Sequence, residues 1–172
     1  FLYVIDPLDP SKEVEYVYNL HSSLPSDYVT DFHGIMTNLR TLIPVYQKNT
    51  KRISIYSWND SVDKPFSDVN GGAYVSNGHT TTMVLEIPNN EFIYDHNHRF
   101  SVIAHEYFHC YQDSISSTFF NQSFRILWLS EGTAASFEGL YIQQYKNYNY
   151  LLNDHGPVNS SYISNPSVLE SY

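Results

Sequence analysis

His105-Glu106-Tyr107-Phe108-His109 places two imidazoles four residues apart, one turn up the same helix face, where both can reach one metal ion. Glu106 sits beside them, close enough to take a proton from a metal-bound water. Downstream, Trp128-Leu129-Ser130-Glu131-Gly132 offers Glu131, near the start of another helix, as a third ligand. Two neutral His and one carboxylate leave the fourth position of a tetrahedral zinc open for water, which is the catalytic arrangement rather than the structural one.

Such a constellation needs two helices to hold it. Residues 100–111 read as one helix that is apolar nearly all round, and so buried. Two His and a Glu in a buried helix are expensive unless they are paired or bound to metal; the alternative is two ordinary core or surface histidines. The second helix carries Glu131, Ala134, Ala135 and Glu138 at helical spacing, and its alanines allow close approach. Glu138, seven residues beyond Glu131 on the same face, is placed to hydrogen-bond a ligand His or else to be a solvated helix glutamate.

These two runs resemble those of the gluzincin metallopeptidases, the zincin branch with two motif histidines and a downstream glutamate. The segment Trp128-Leu-Ser-Glu-Gly-Thr-Ala-Ala-Ser-Phe-Glu138 is similar to the second signature of aminopeptidase-like members, and the resemblance covers residues 71–145 best. It implies one zinc per chain on His105, His109 and Glu131, with Glu106 as general base. It also implies an α+β, zincin-like domain with a small mixed sheet and an active-site helix pair. Gly71-Gly72-Ala73-Tyr74-Val75 lies where the family has an edge strand pairing with extended peptide substrate, which makes Gly72, Ala73 and Tyr74 candidate substrate-binding positions. A complete gluzincin adds a Tyr or His beyond the glutamate to stabilise the oxyanion. Tyr148, Tyr150, His155 and Tyr162 are the candidates within the 41 residues after Glu131, and the sequence does not choose among them.

Upstream, residues 13–20 alternate with high β-propensity and read as a strand. Val29, Phe32, Met36, Leu39, Ile43 and Tyr46 then recur at steps of three and four, an amphipathic helix with Ser26 as N-cap and Pro44 at its end. Strands are expected at 53–58, 71–76 and 82–87, the last two joined as a hairpin by Asn77-Gly78, with Pro88-Asn89-Asn90 closing the third. Asp95-His96-Asn97-His98 precedes the metal helix. Two His one residue apart can chelate a second metal, but a polar helix start capped by Asp95 or Asn97 is the simpler reading. Residues 114–127 read as a Ser-rich, then aromatic, connection between the two motif helices.

The 172 residues suffice for one domain, 1–172, with a sizeable core, and 42% hydrophobic content excludes a disordered composition. No apolar run approaches the ~20 residues that cross a bilayer. A net charge of −9, with 9 Lys and Arg spread thinly, leaves no basic stripe and argues against nucleic acid. Cys110, the only cysteine, points about 100° away from His109 around the helix and reads as a small core residue. A chain beginning at Phe1 fits a processed product or an excised domain of a longer protein. Sequons at Asn59, Asn121 and Asn159 lean slightly toward a secreted or cell-surface setting, although a chain rich in Asn and Ser produces some by accident.

The expectation is therefore a zinc-dependent metallopeptidase that hydrolyses a peptide or protein substrate by Glu-assisted attack of a zinc-bound water. The competing expectations are a zinc-binding but catalytically incomplete peptidase-like module, and a metal-free interaction protein with a Tyr-rich surface. Oligomeric state, cleavage specificity and endo- versus exopeptidase action are not written in the sequence.

Overall fold

The computed structural model describes residues 14–45, 50–77, 80–119 and 127–153. Along the chain these form β1 (Glu15–Leu20), α1 (Ser26–Leu42), β2 (Arg52–Asn59), β3 (Ala73–Asn77), β4 (Thr81–Ile87), α2 (Asn89–Ile93), α3 (His98–Phe119), α4 (Leu127–Lys146) and α5 (Tyr150–Asn153). The result is a mixed α/β fold with a four-stranded sheet and five helices among the described residues.

Strand order is β1-β2-β4-β3, with β1, β2 and β4 parallel and β3 antiparallel on the edge. The central pair shows why. Ile53 and Ile55 of β2, and Met83, Leu85 and Ile87 of β4, alternate onto one face and are fully buried there, with Ile55 opposite Met83 and Ser57 opposite Leu85. Phe32, Ile35, Met36 and Leu39 of α1 join the same core at the three- and four-residue spacing of an apolar helix stripe. Helix α3 adds Phe100, Ile103, Ala104 and Tyr107, and packs against α1, β4 and β3. On the other sheet face, Phe66 from the β2–β3 connection meets Tyr56 and Trp58 edge-on, at 5.2 and 5.9 Å between ring centroids.

Several expectations change. Pro25, not Ser26, occupies the N-cap position of α1, and Ser26 is the first helical residue. The helix ends at Leu42, with the Ile43 N–H still donating to Leu39 O before Pro44. The expected connection at 114–127 is overturned in its first part, because α3 continues to Phe119. Ser114 donates back to Tyr111 O at 2.7 Å, so a residue that often competes with a helix is satisfied within it. Residues 120–126, His155 and Tyr162 lie outside the described residues, as does the middle of the expected 77–78 turn.

The run Pro88-Asn89-Asn90 closes β4 after Ile87 as expected, and it also starts α2. Pro88 takes the cap position, and the Asn89 N–H is held by Asp60 Oδ1 at 2.7 Å. Asn59 is buried with its amide bonded to Asn89 and to the Ser61 N–H, which removes it as a glycan acceptor in this fold. Asn121 and Asn159 lie outside the described residues. No described helix is long and apolar enough to cross a membrane.

Candidate metal centre

Helices α3 and α4 pack against one another over most of their length. Ala134 is fully buried in α4, and Phe108 stacks on Phe137 with centroids 4.7 Å apart. One turn apart on α3, His105 and His109 hold their Nε2 atoms 3.1 Å from one another, and the helix contact brings Glu131 of α4 up to them. Glu131 Oε2 stands 3.3 Å from His109 Nε2 and 3.4 Å from His105 Nε2. Among the described residues, these are the three His, Cys, Asp or Glu side chains whose donor atoms converge on one point.

The triangle fits a metal. Ligands bound at ~2.0–2.1 Å around a tetrahedral zinc stand about 3.3–3.4 Å apart, which the two edges to Glu131 match and the 3.1 Å His105–His109 edge falls a little short of. The outer hydrogen bonds make the same point independently. His105 Nδ1 lies 3.0 Å from Glu138 Oε2, and His109 Nδ1 lies 2.8 Å from Gln112 Oε1. When each Nδ1 carries the proton for these bonds, both Nε2 lone pairs face each other across 3.1 Å. Two acceptors that close repel unless a cation, either a proton or a metal ion, lies between them. The donor set of two imidazoles and one carboxylate suits a divalent transition-metal ion, zinc among them.

Exposure grades across the site. The His109 side chain is 6% exposed and Glu131 is 47% exposed, so the cluster is a buried floor with one open wall. Glu106 is buried, with Oε2 lacking a hydrogen-bond partner among the described residues. Burial pushes its carboxyl up to about 7, opposed by His105 and reinforced by the Glu131 and Glu138 carboxylates. For His105, burial disfavours the charged ring, but the Glu138 hydrogen bond and the carboxylates of Glu138, Glu106 and Glu131 raise its pKa above 6.5. Cys110 is fully buried in the core, and burial pushes its thiol well up, so it takes no part.

Gln112 is a residue that the sequence did not single out. Its Oε1 accepts from His109 and from Ser130 Oγ, and its Nε2 donates to Ser130 O at 3.0 Å and Thr133 Oγ1 at 2.7 Å. It thereby ties His109 to the turn of α4 that carries Glu131. The one available signal was its position three residues past His109, on a neighbouring face of the helix.

The remaining sequence candidates spread out. Glu138 is buried beneath His105 rather than solvated. Asp95, His96 and His98 join no cluster: the His98 Nδ1 is paired with Glu91 Oε1 at 2.7 Å, and the Asp95 carboxylate bonds Arg99. Tyr150 is buried in the core and Tyr148 packs against it. Of the edge-strand positions, Ala73 and Tyr74 lie within β3, and Gly72 immediately precedes it.

No family model matches this sequence, and no match is found among curated proteins or solved structures.

Proposed function

We propose that this chain is a zinc-dependent metallopeptidase, with His105, His109 and Glu131 holding the ion and Glu106 acting as general base. The carrying observation is the triangle of His105 Nε2, His109 Nε2 and Glu131 Oε2, with edges of 3.1, 3.3 and 3.4 Å. Bound zinc would polarise a scissile carbonyl and acidify a water molecule beside Glu106. Glu106 contributes a carboxylate oxygen that no protein group occupies, in a pocket where a transferred proton is shielded from solvent. It takes the proton of the attacking water and returns it to the leaving amine. Glu138 and Gln112 hold the two imidazoles with their Nε2 lone pairs inward. The antiparallel edge strand β3, the helix pair and the resemblance in residues 71–145 support peptide as the substrate class.

One observation favours a second reading, a zinc-binding module that does not hydrolyse. Tyr150 is sequestered in the core and Tyr148 packs on that core, so neither stands ready as an oxyanion donor. Metal content measured by mass spectrometry, on protein purified without added metal or a metal-binding tag, tests both readings. About one zinc per chain, and almost none in His109→Ala, is expected. A screen with unstructured peptides then separates hydrolysis from binding alone. Absence of metal from the wild-type chain would refute both.

A further inference from the structure

Glu86 lies on β4 between Leu85 and Ile87, which point into the core, so its side chain emerges on the opposite face of the sheet. There its carboxylate receives two N–H groups from different directions. Trp58 Nε1, on the neighbouring strand, donates to Oε1 at 3.1 Å, and the Gly72 backbone N–H donates to Oε2 at 2.8 Å. The backbone N–H of Glu86 donates in turn to Gly72 O at 2.9 Å. Gly71 is pressed so closely on this carboxylate that a Cβ there would stand 2.5 Å from Oε2, and Gly72 adopts φ +108°. Gly72 is required for its backbone conformation, and a side chain at Gly71 would push the Glu86 carboxylate off its two donors. One residue earlier, the Asn70 N–H is held by Tyr74 Oη at 3.2 Å.

These contacts set the phase of the β3–β4 ladder. Because Glu86 N–H bonds Gly72, the pairs Gly72/Glu86, Tyr74/Val84 and Ser76/Thr82 are the hydrogen-bonded ones. The N–H and C=O of Ala73 and Val75 therefore point to the open edge, where no described strand pairs with them. Such an edge is a template for an extended peptide. Helix α3, which carries His105 and His109, packs against both β3 and β4.

We propose that Glu86 is a positioning residue: through Gly71 and Gly72 it fixes the register in which Ala73 and Val75 receive the backbone of an extended peptide substrate. The proposal rests on the peptidase reading for the identity of that substrate. Its physical content is the period of two along a strand, since a slip of one residue would turn the outward groups of β3 inward.

The test uses the full chain. A cleavage site is first found by digesting a heat-denatured protein with the wild-type chain. Blocked peptides of two and eight residues are then built around that site. Glu86→Gln has one amide oxygen for two N–H donors. It is expected to raise KM for the octapeptide ~5- to 10-fold, while its kcat and the dipeptide KM stay within about twofold. Adding Trp58→Phe removes the donor left facing the amide NH₂ and should recover most of the loss, a non-additivity that marks direct coupling. Amide exchange over residues 72–76, read without peptide, should quicken in Glu86→Gln and in Glu86→Ala. Equal losses on both peptide lengths, a loss confined to kcat, or no recovery in the double variant overturns the positioning role. Unchanged exchange in both single variants overturns the bracket itself. A wild-type chain that digests nothing overturns the peptidase reading, and with it the substrate assigned here, so the two failures are told apart.

Discussion

His109 Nδ1 lies 2.8 Å from Gln112 Oε1, and the amide nitrogen of the same Gln112 reaches Ser130 O and Thr133 Oγ1 on the facing helix. One side chain therefore does two jobs. Its oxygen sets the tautomer of His109, leaving Nε2 as the free lone pair, and its nitrogen fixes how far the turn carrying Glu131 stands from His109. The bond to Ser130 O also decides which way the amide faces, because reversing it would set the Gln112 oxygen against the Ser130 carbonyl oxygen, two acceptors.

Gln112→Ala should therefore weaken zinc binding by about 10- to 100-fold, the range found for partners of metal-bound histidines. Gln112→Glu keeps an acceptor for His109 and Ser130 Oγ but loses both donor bonds to α4, so it should fall between the wild type and the alanine variant. Competition with a chelating dye gives the order. Affinities in which Gln112→Ala equals wild type would remove the role assigned to this residue.

Glu106→Gln separates chemistry from metal binding. The amide is nearly isosteric with the carboxyl, and Glu106 makes no protein hydrogen bond through Oε2 that the change would break. Zinc content should be unchanged while peptide turnover falls by ~10²- to 10⁴-fold, the usual size of a positioned general-base contribution. Turnover that survives the substitution would sink the assignment of Glu106.

The histidine pair is legible in the sequence because an i, i+4 spacing on a buried helix has one geometry, and Glu131 is legible through the resemblance of the run around it. Gln112 is not, because its partners at 130 and 133 lie a helix and a connection away, and a polar residue on a helix face reads by default as solvated. The sheet was foreseen strand by strand, since Ile53–Trp58 and Thr82–Ile87 carry strong alternation. The extra turns of α3 were not. Serines at 114, 116 and 117 read as a break until the Ser114 hydroxyl is seen bonded back to Tyr111 O. Likewise Gly71-Gly72 reads as the start of the edge strand, and only the Glu86 carboxylate shows why the strand begins after the two glycines.

The His98–Glu91 pair predicts a pH dependence of stability that is independent of metal. The Glu91 hydrogen bond raises the His98 pKa above 6.5, opposed by burial, with the Glu138 carboxylate on α4 adding to the rise and His105 on α3 subtracting. A group that binds its proton more tightly folded than unfolded stabilises the fold fully below its unfolded pKa and loses that contribution as pH rises through the folded value. Chelator-treated protein should therefore lose this contribution as pH rises from the ordinary histidine value of 6.5 through the raised folded-state value, and His98→Gln should flatten that slope. With half of the His98 side chain exposed, solvent screening keeps the effect small. Thermal melts across that range decide it; an identical slope in the variant would assign the dependence elsewhere.

Metal removal should cost stability as well as activity, because the donor triangle is held by two helices and not by one loop. In the metal-free chain, the close approach of His105 Nε2 and His109 Nε2 on α3 is relieved by a proton between them or by rotation of one ring, which for His105 breaks its bond to Glu138 of α4. A ligand that binds only the folded chain stabilises it by RT ln(1 + [L]/Kd), about 2.7 kcal/mol at a hundredfold excess over Kd. For a domain of this size that corresponds to a rise in Tm of roughly 5–10 °C when zinc is restored after chelation. His109→Ala and Glu131→Gln should abolish the zinc-dependent rise. Glu138→Gln should only reduce it, because the amide still reaches His105 but no longer supports its ring with a charge. A Tm that ignores zinc in the wild-type chain would mean that the folded chain does not bind the ion, and that the convergence of the three donors is a product of packing alone.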